Sequence, residues 1–276
     1  MNDRVAGPAA THATPAELAV RDWLLVGLSF ATGTYEAICF LTFGKVFTAA
    51  MTGNLVLLGI GVAGTRQPAG PNLVTVVISL AAFAAGAALA TAILKSFVGD
   101  KETQDNDVFQ AWPRRVTAAL AIALILQAGF LAVWATAASP AGLAYVLMTL
   151  SALAMGLQMN AIRDLHVPGI STTAVTATFI DLVSGLVTWS LTAHSARRLT
   201  ASMAGLAAGA FLGDWMLRHA HRYAPVVPMF VTAVVVATAW VALKPRASAG
   251  PDGKQGPAGR ARGAVSAATR MRGDRN

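Results

Sequence analysis

Long apolar runs joined by short polar stretches fill the chain between Trp23 and Leu243. A helix needs roughly 20 consecutive apolar residues to cross a bilayer. Runs of about that length occupy residues 23–43, 73–98, 116–138 and 142–162, and further candidates lie at 199–217 and 226–243. Two more segments, 47–64 and 171–192, are apolar enough to be helical but open with Thr, Ser, Gly and Asn. The pattern predicts an all-α integral membrane protein with six full transmembrane helices plus two broken or re-entrant helices. If both polar-headed segments span, the alternative is eight spanning helices.

The placement of cations favours six. Lys and Arg near helix ends mark the cytoplasmic side, whereas Asp and Glu count little. With six crossings, Arg4, Arg21, Lys95, Lys101, Arg114, Arg115, Arg163, Arg197, Arg198 and the basic tail share one side. Only Lys45, Arg66, Arg218 and Arg222 lie opposite. With eight, that bias nearly vanishes apart from the tail. Three crossings per half give the two halves opposite orientations, as in an inverted repeat, with both termini cytoplasmic. The expected organisation is a polar, disordered N-terminal segment at 1–21, membrane halves at 22–138 and 139–243, and a basic disordered tail at 244–276.

Composition agrees with a membrane chain. Residues are 55% hydrophobic and 12% charged, against roughly 25% charged in a soluble domain, and the mean hydropathy is +0.57. The formal net charge of +8 resides largely in the tail, where Lys244, Arg246, Lys254, Arg260, Arg262, Arg270, Arg272 and Arg275 face only Asp252 and Asp274. That tail is rich in Gly, Ala and Pro and has no aromatic interleaving, which points to anionic lipid headgroups and not to nucleic acid. Residues 1–21 lack the pattern of a cleavable secretion signal, so the first helix is expected in the mature protein. The single cysteine, Cys39, excludes an intramolecular disulfide and a thiolate metal cluster.

A passage recurs at a shift of 124 positions. Ala37 and Ile38 match Ala161 and Ile162, and Glu36 falls opposite Asn160. Thr48, Ala50 and Thr52 match Thr172, Ala174 and Thr176, and Leu58 and Gly61 match Leu182 and Gly185. The first copy reads Gly33-Thr34-Tyr35-Glu36-Ala37, leading into Val46-Phe47-Thr48-Ala49-Ala50-Met51-Thr52-Gly53-Asn54. The second reads Gly156-Leu157-Gln158-Met159-Asn160-Ala161, leading into Ser171-Thr172-Thr173-Ala174-Val175-Thr176. On these residues the chain resembles the YoaK-like family of bacterial transmembrane proteins, a domain of unknown function, over about Trp23 to Leu243. The resemblance implies a multi-pass protein of the bacterial cell (inner) membrane and adds little about substrate. Family members commonly carry aspartate where this chain has Glu36, and often repeat the Thr-Gly-Asn trio where this chain has Thr176-Ala177-Thr178.

An ionisable group inside a membrane segment is expensive, so Glu36 is expected to face the protein interior with a partner or to be protonated. Candidate partners are Thr48, Thr52, Asn54, Gln158 and Asn160. Thr48, Thr52, Gly53 and Asn54 open the first broken helix, whose exposed N–H groups can be capped or can bind an anion or polar solute. Thr172, Thr173, Thr176 and Thr178 would form the second wall, with Asp181 as another ionisable candidate. The same small and hydroxyl residues are also ordinary helix-packing material in membranes. Arg163 and Asp164 are placed to pair locally or to sit at a helix end. Trp23, Trp112, Trp215 and Trp240 fit interfacial anchoring, Met148, Met155 and Met159 fit the core, and His219 and His221 fit a loop. No catalytic constellation, metal site or cofactor motif is present, so no enzyme, metal or cofactor is expected. The leading expectation is a small transporter or channel-like carrier for a polar small molecule or ion, with the lipid bilayer as its surroundings. A non-catalytic scaffold or accessory subunit is the alternative.

Overall fold

A computed structural model describes residues 13–64, 72–96, 111–136, 143–165, 167, 175–188 and 192–243. The described residues are helical, with no strand among them. In chain order the helices are α1 (Pro15–Thr42), α2 (Met51–Val62), α3 (Leu73–Ser96), α4 (Arg114–Thr136), α5 (Ala144–Arg163), α6 (Val175–Val187), α7 (Ala193–His219) and α8 (Val226–Ala242). Among the described residues, five helical stretches are long and apolar enough to cross a membrane: α1, α3, α4, α5 and His221–Ala242, which adds a short 3-10 turn to α8. α7 is long enough but carries Arg197, Arg198, Asp214 and Arg218. α2 and α6, at 12 and 13 residues, fall short of the roughly 20 needed. The chain is therefore a multi-pass membrane protein. Thr172 and Thr173 lie outside the described residues, as do the segments 1–12 and 244–276.

α1 starts well before the apolar run at Trp23. The Thr14 hydroxyl accepts from the Glu17 N–H and the Glu17 carboxylate accepts from the Thr14 N–H, a reciprocal capping box with Pro15 in the first turn. Two orphan donors are satisfied this way, so residues 15–21, expected to be disordered, are helical. The local capping sequence outweighs the mixed polarity that marked these residues as a tail.

Side-chain contacts fix the helix directions. Asp22 meets Arg198, and further along the same pair Gly33 faces Leu206 and Gly213 faces Thr34, so α1 and α7 run parallel. Asn72 meets Tyr145, and Gly86 faces Leu153, so α3 and α5 are parallel too. Gln158 bonds Thr32 while Ser151 meets Cys39, which sets α5 antiparallel to α1. Arg115 pairs with Asp164 at one end of α4, and Trp134 meets Phe43 and the His221 carbonyl at the other. α4 therefore runs with α1, and α8, which starts beside His221 and later packs Val235 against Gly27, runs against it.

The most extensive contacts join α1 to α7 and α3 to α5. Both crossings use glycine for close backbone approach. A Cβ on Gly33 would strike the Leu206 carbonyl, and one on Gly209 the Phe30 carbonyl. In the second crossing a Cβ on Gly156 would strike the Phe83 carbonyl, and one on Gly86 that of Leu153. These two sets of contacts coincide under a single shift of 123 positions, which takes 33 to 156, 86 to 209, 30 to 153 and 83 to 206.

Among the described residues, two large buried apolar clusters and a small one of Ala90, Ala123 and Leu157 fill the bundle. One large cluster holds Leu24, Leu25, Leu28, Trp112, Leu120, Ile162 and Leu243 at the end where α1 begins. The other holds Tyr35, Ile38, Phe43, Phe130, Trp134, Met148, Met155 and Met159 at the end where α1 stops. Trp23, Trp215 and Trp240 are exposed, as expected of anchors, but Trp112 is 2% exposed and donates its indole N–H to Thr117. It belongs to the core. A buried indole needs a partner for its one donor, and Thr117 supplies it.

Candidate functional site

The site is built where α1 ends and the chain turns back into the bundle. Gly44 and Lys45 have φ of 83° and 61°, and the Lys45 N–H donates to the Phe40 carbonyl five residues earlier. This left-handed stop, of the kind that commonly ends helices on glycine, turns the chain sharply. Residues 46–50 then descend alongside α1. α2 climbs back beside α3, with Asn54 against Ser79 and Gly61 against Leu73, nearer the start of α3.

At the lowest point of this hairpin, Glu36 meets the chain. Its carboxylate accepts the backbone N–H groups of Thr48 at 3.2 Å, Ala49 at 2.5 Å and Ala50 at 3.0 Å. α2 has Ala50 as its N-cap and no side-chain cap of its own. A carboxylate from the neighbouring helix thus sits where the α2 dipole is positive and satisfies the donors of buried Thr48 and Ala49 as well as that of exposed Ala50.

Asn54 performs the complementary task. Its carbonyl accepts from the Phe47 N–H at 3.0 Å, and its amide donates to the Phe47 carbonyl at 2.7 Å and to Ser79 at 3.1 Å. The Ser79 hydroxyl donates to that same carbonyl at 2.6 Å. Both main-chain groups of Phe47 are thereby held by fully buried side chains. The Phe47 ring stacks on Phe40, with 4.7 Å between centroids, and lies against Gly53, where a Cβ would sit 3.0 Å from the ring. A side chain at position 53 would press on the ring, which would have to give by a few tenths of an ångström.

The other sequence candidates are placed elsewhere. Thr52, although in the first turn of α2, is exposed. Gln158 donates to Thr32 at 3.0 Å, one turn below Glu36. Asn160 donates to the Ala87 carbonyl and to Thr91, both on α3. Under the shift of 123 that superposes the glycine crossings, the residue answering Glu36 is Met159, and Asn160 answers Ala37. Consistently, Ala37 faces Gly213 on α7 just as Asn160 faces α3. The shift of 124 read from the threonines differs by one residue, which on a helix turns a side chain by about 100°. Thr176 and Asp181 fall within α6, but their side chains lie outside the description. Asp164 pairs with Arg115 of α4 at 2.6 Å and not with adjacent Arg163.

A second polar group was not singled out from the sequence. Gln127, on α4, is 1% exposed, and both its amide nitrogen and oxygen are buried without a hydrogen-bond partner. The Gln158 amide oxygen and the Tyr35 hydroxyl are likewise buried and unpaired. Tyr35 stands edge-on to Phe130, one turn beyond Gln127, with centroids 5.5 Å apart. Gln158 is tied to Thr32, one turn before Tyr35. The three side chains therefore occupy neighbouring levels of α1, α4 and α5 near mid-span. A lone glutamine in an apolar run, Leu126-Gln127-Ala128, was the only available signal.

Comparison with known proteins places the chain. A family profile described as "Protein of unknown function (DUF1275)" matches residues 24–238. The chain belongs to this family. The DUF1275 assignment agrees with a likeness to the UPF0700 transmembrane protein YoaK of Bacillus subtilis (strain 168), 35% identical over 169 residues that cover 61% of this chain and 68% of that protein. No solved structure matches. In this DUF1275 member, the Met51-Thr52-Gly53-Asn54 stretch that carries the family resemblance is also the stretch that clamps Phe47.

Proposed function

We propose that the protein is a small carrier that passes a polar small molecule or ion between two re-entrant hairpins. The observation that carries this reading is the set of unpaired polar atoms on Gln127, Gln158 and Tyr35. Burying an amide without a partner costs about 1–3 kcal/mol by protein mutational data, and orphaned buried groups are few in folded proteins. A polar occupant of the mid-span would satisfy both the donor and the acceptors found there.

Topology supports the same reading. α1 and α3 run in opposite directions, so the segment between them begins and ends at one face; α5 and α7 do the same at the other. Pairing α1 with α5, α2 with α6, α3 with α7 and α4 with α8 exchanges the contacts α1·α7 with α3·α5, α1·α8 with α4·α5, and α2·α3 with α6·α7. That exchange supports a reading as two inverted halves with six crossings and a re-entrant segment in each, an architecture that binds solutes at the repeat interface. Arg21, Lys95, Arg114, Arg115, Arg163, Arg197 and Arg198 share the end where α1 begins, which supports a cytoplasmic placement of that end in a bacterial inner membrane.

The scaffold reading is favoured by a different observation: the Glu36 carboxylate is already engaged by three N–H groups of its own chain. One variant separates the two readings. Gln127→Leu replaces an unpaired amide with an apolar side chain of similar size and is expected to leave thermal stability unchanged or raised. Under the carrier reading it also reduces counterflow to background in liposomes tested with amino acids, sugars, organic acids and monovalent cations. Absence of flux across that panel for the unmodified protein would leave the scaffold in possession.

A further inference from the structure

The cytoplasmic ends of α1 and α7 enclose a cavity of about 70 Å³, lined by Ala19, Asp22, Trp23, Val26, Arg197, Arg198 and Ala201. Asp22 is buried and held by Arg21 at 2.9 Å and by Arg198 at 3.8 Å. Arg197 is exposed at the rim, and Trp23 is 72% exposed beside it. The alanines keep the space open and Val26 gives it an apolar floor. Of the charged residues lining the cavity, two are guanidinium groups and one is a carboxylate. Arg21 adds a third cation through Asp22, and Glu17, one turn away, is occupied in capping α1.

Depth identifies the surroundings. With Thr42 at one membrane boundary, Asp22, 20 residues earlier on the same helix, lies about 30 Å away at 1.5 Å per residue. That is the thickness of the hydrocarbon core, so the cavity opens at headgroup level on the opposite face. Paired arginines recognise phosphate oxygens with geometric as well as electrostatic fit. An exposed tryptophan at the same level suits the boundary between headgroup and acyl chain. Basic pockets between membrane helices on this side take anionic headgroups.

We propose that this cavity is a binding site for a phosphate-bearing anion, with Arg197 and Arg198 as its cationic wall and Trp23 as its apolar flank. The chemistry is shared by a phospholipid headgroup and by free phosphate. It is independent of the carrier reading, because none of its residues belongs to the mid-span polar group.

The test uses full-length protein in neutral detergent, titrated with phosphatidylglycerol, phosphatidylcholine or inorganic phosphate. Thermal unfolding and native mass spectrometry provide the readouts. Phosphatidylglycerol is expected to raise the melting temperature and to remain bound, with phosphatidylcholine inactive. Arg197→Gln, at an exposed position outside the buried ion pair, is expected to weaken binding roughly fivefold, as for a partly solvated charge pair, without lowering the melting temperature of lipid-free protein. Protection by inorganic phosphate alone, with the same dependence on Arg197, assigns the site to the free anion. Equal protection by phosphatidylcholine, or binding unchanged in both Arg197→Gln and Trp23→Ala, overturns the proposal.

Discussion

Replacing Glu36 with glutamine keeps the arm length but turns one acceptor oxygen into a donor that faces the N–H groups of Thr48, Ala49 and Ala50. At least one of those donors then loses its partner, and the others lose a charge-assisted bond. Hydrogen bonds to charged groups are worth about 1.5–3 kcal/mol, so Glu36→Gln is expected to destabilise by about 2 kcal/mol. Asn54→Ala strands the Phe47 N–H, while the Phe47 carbonyl keeps Ser79. Its expected cost is about 1–3 kcal/mol. Unfolding in detergent, followed by helical circular dichroism, measures both; a loss below 0.5 kcal/mol (roughly half the usual value of one hydrogen bond) in each would show that the hairpin is not held by these side chains. Glu36 was recognisable in the sequence as an isolated charge in an apolar run. Its partners were not, because they are main-chain donors brought close by a turn, and main-chain groups carry no sequence signal.

Glycines test the packing of elements. Gly33→Ala and Gly156→Ala each drive a methyl group into a carbonyl of the facing helix, and two packed helices must separate to admit it. Overpacking of this kind costs about 1–3 kcal/mol. A methyl group at Gly129, on α4, would meet nothing within 4 Å, so Gly129→Ala gains helix propensity and is expected to stabilise by about 0.5–1 kcal/mol. Equal effects from all three would contradict the close crossings. The apolar runs made most elements legible: α3, α4, α5 and α8 lie within a few residues of their predicted spans. α7 extends beyond its apolar run because Thr192 caps it, accepting from the Ser195 N–H, so that Arg197 and Arg198 fall within its first turns. The two short helices were recognisable from their polar openings, but the direction in which α2 climbs was not. That depends on the contacts of Asn54 with Ser79 and Gly61 with Leu73, which join residues distant in sequence.

At the scale of the whole molecule, the proposed inverted arrangement predicts which face each loop occupies. In a variant with Cys39 replaced by serine, single cysteines at Lys45 and Ala63 are expected to react with an impermeant maleimide from the same side, and cysteines at Arg114 and Arg197 from the opposite side. Reaction of Lys45 and Ala63 from opposite sides would make α2 a full crossing. Charge asymmetry in the sequence is the basis of this proposed arrangement, because arginine and lysine near helix ends bias orientation. The pairing of α1 with α7 and of α3 with α5 was hidden, since glycine spacing alone names no partner. These pairings also constrain synthesis. α1 leaves the ribosome roughly 150 residues ahead of α7, which at about 5–20 residues per second is a wait of about 8–30 s. Through that interval the glycine face of α1, which carries Gly33, must be sheltered by the insertion machinery or by lipid. The nascent chain is consequently most exposed to quality control before its second half emerges.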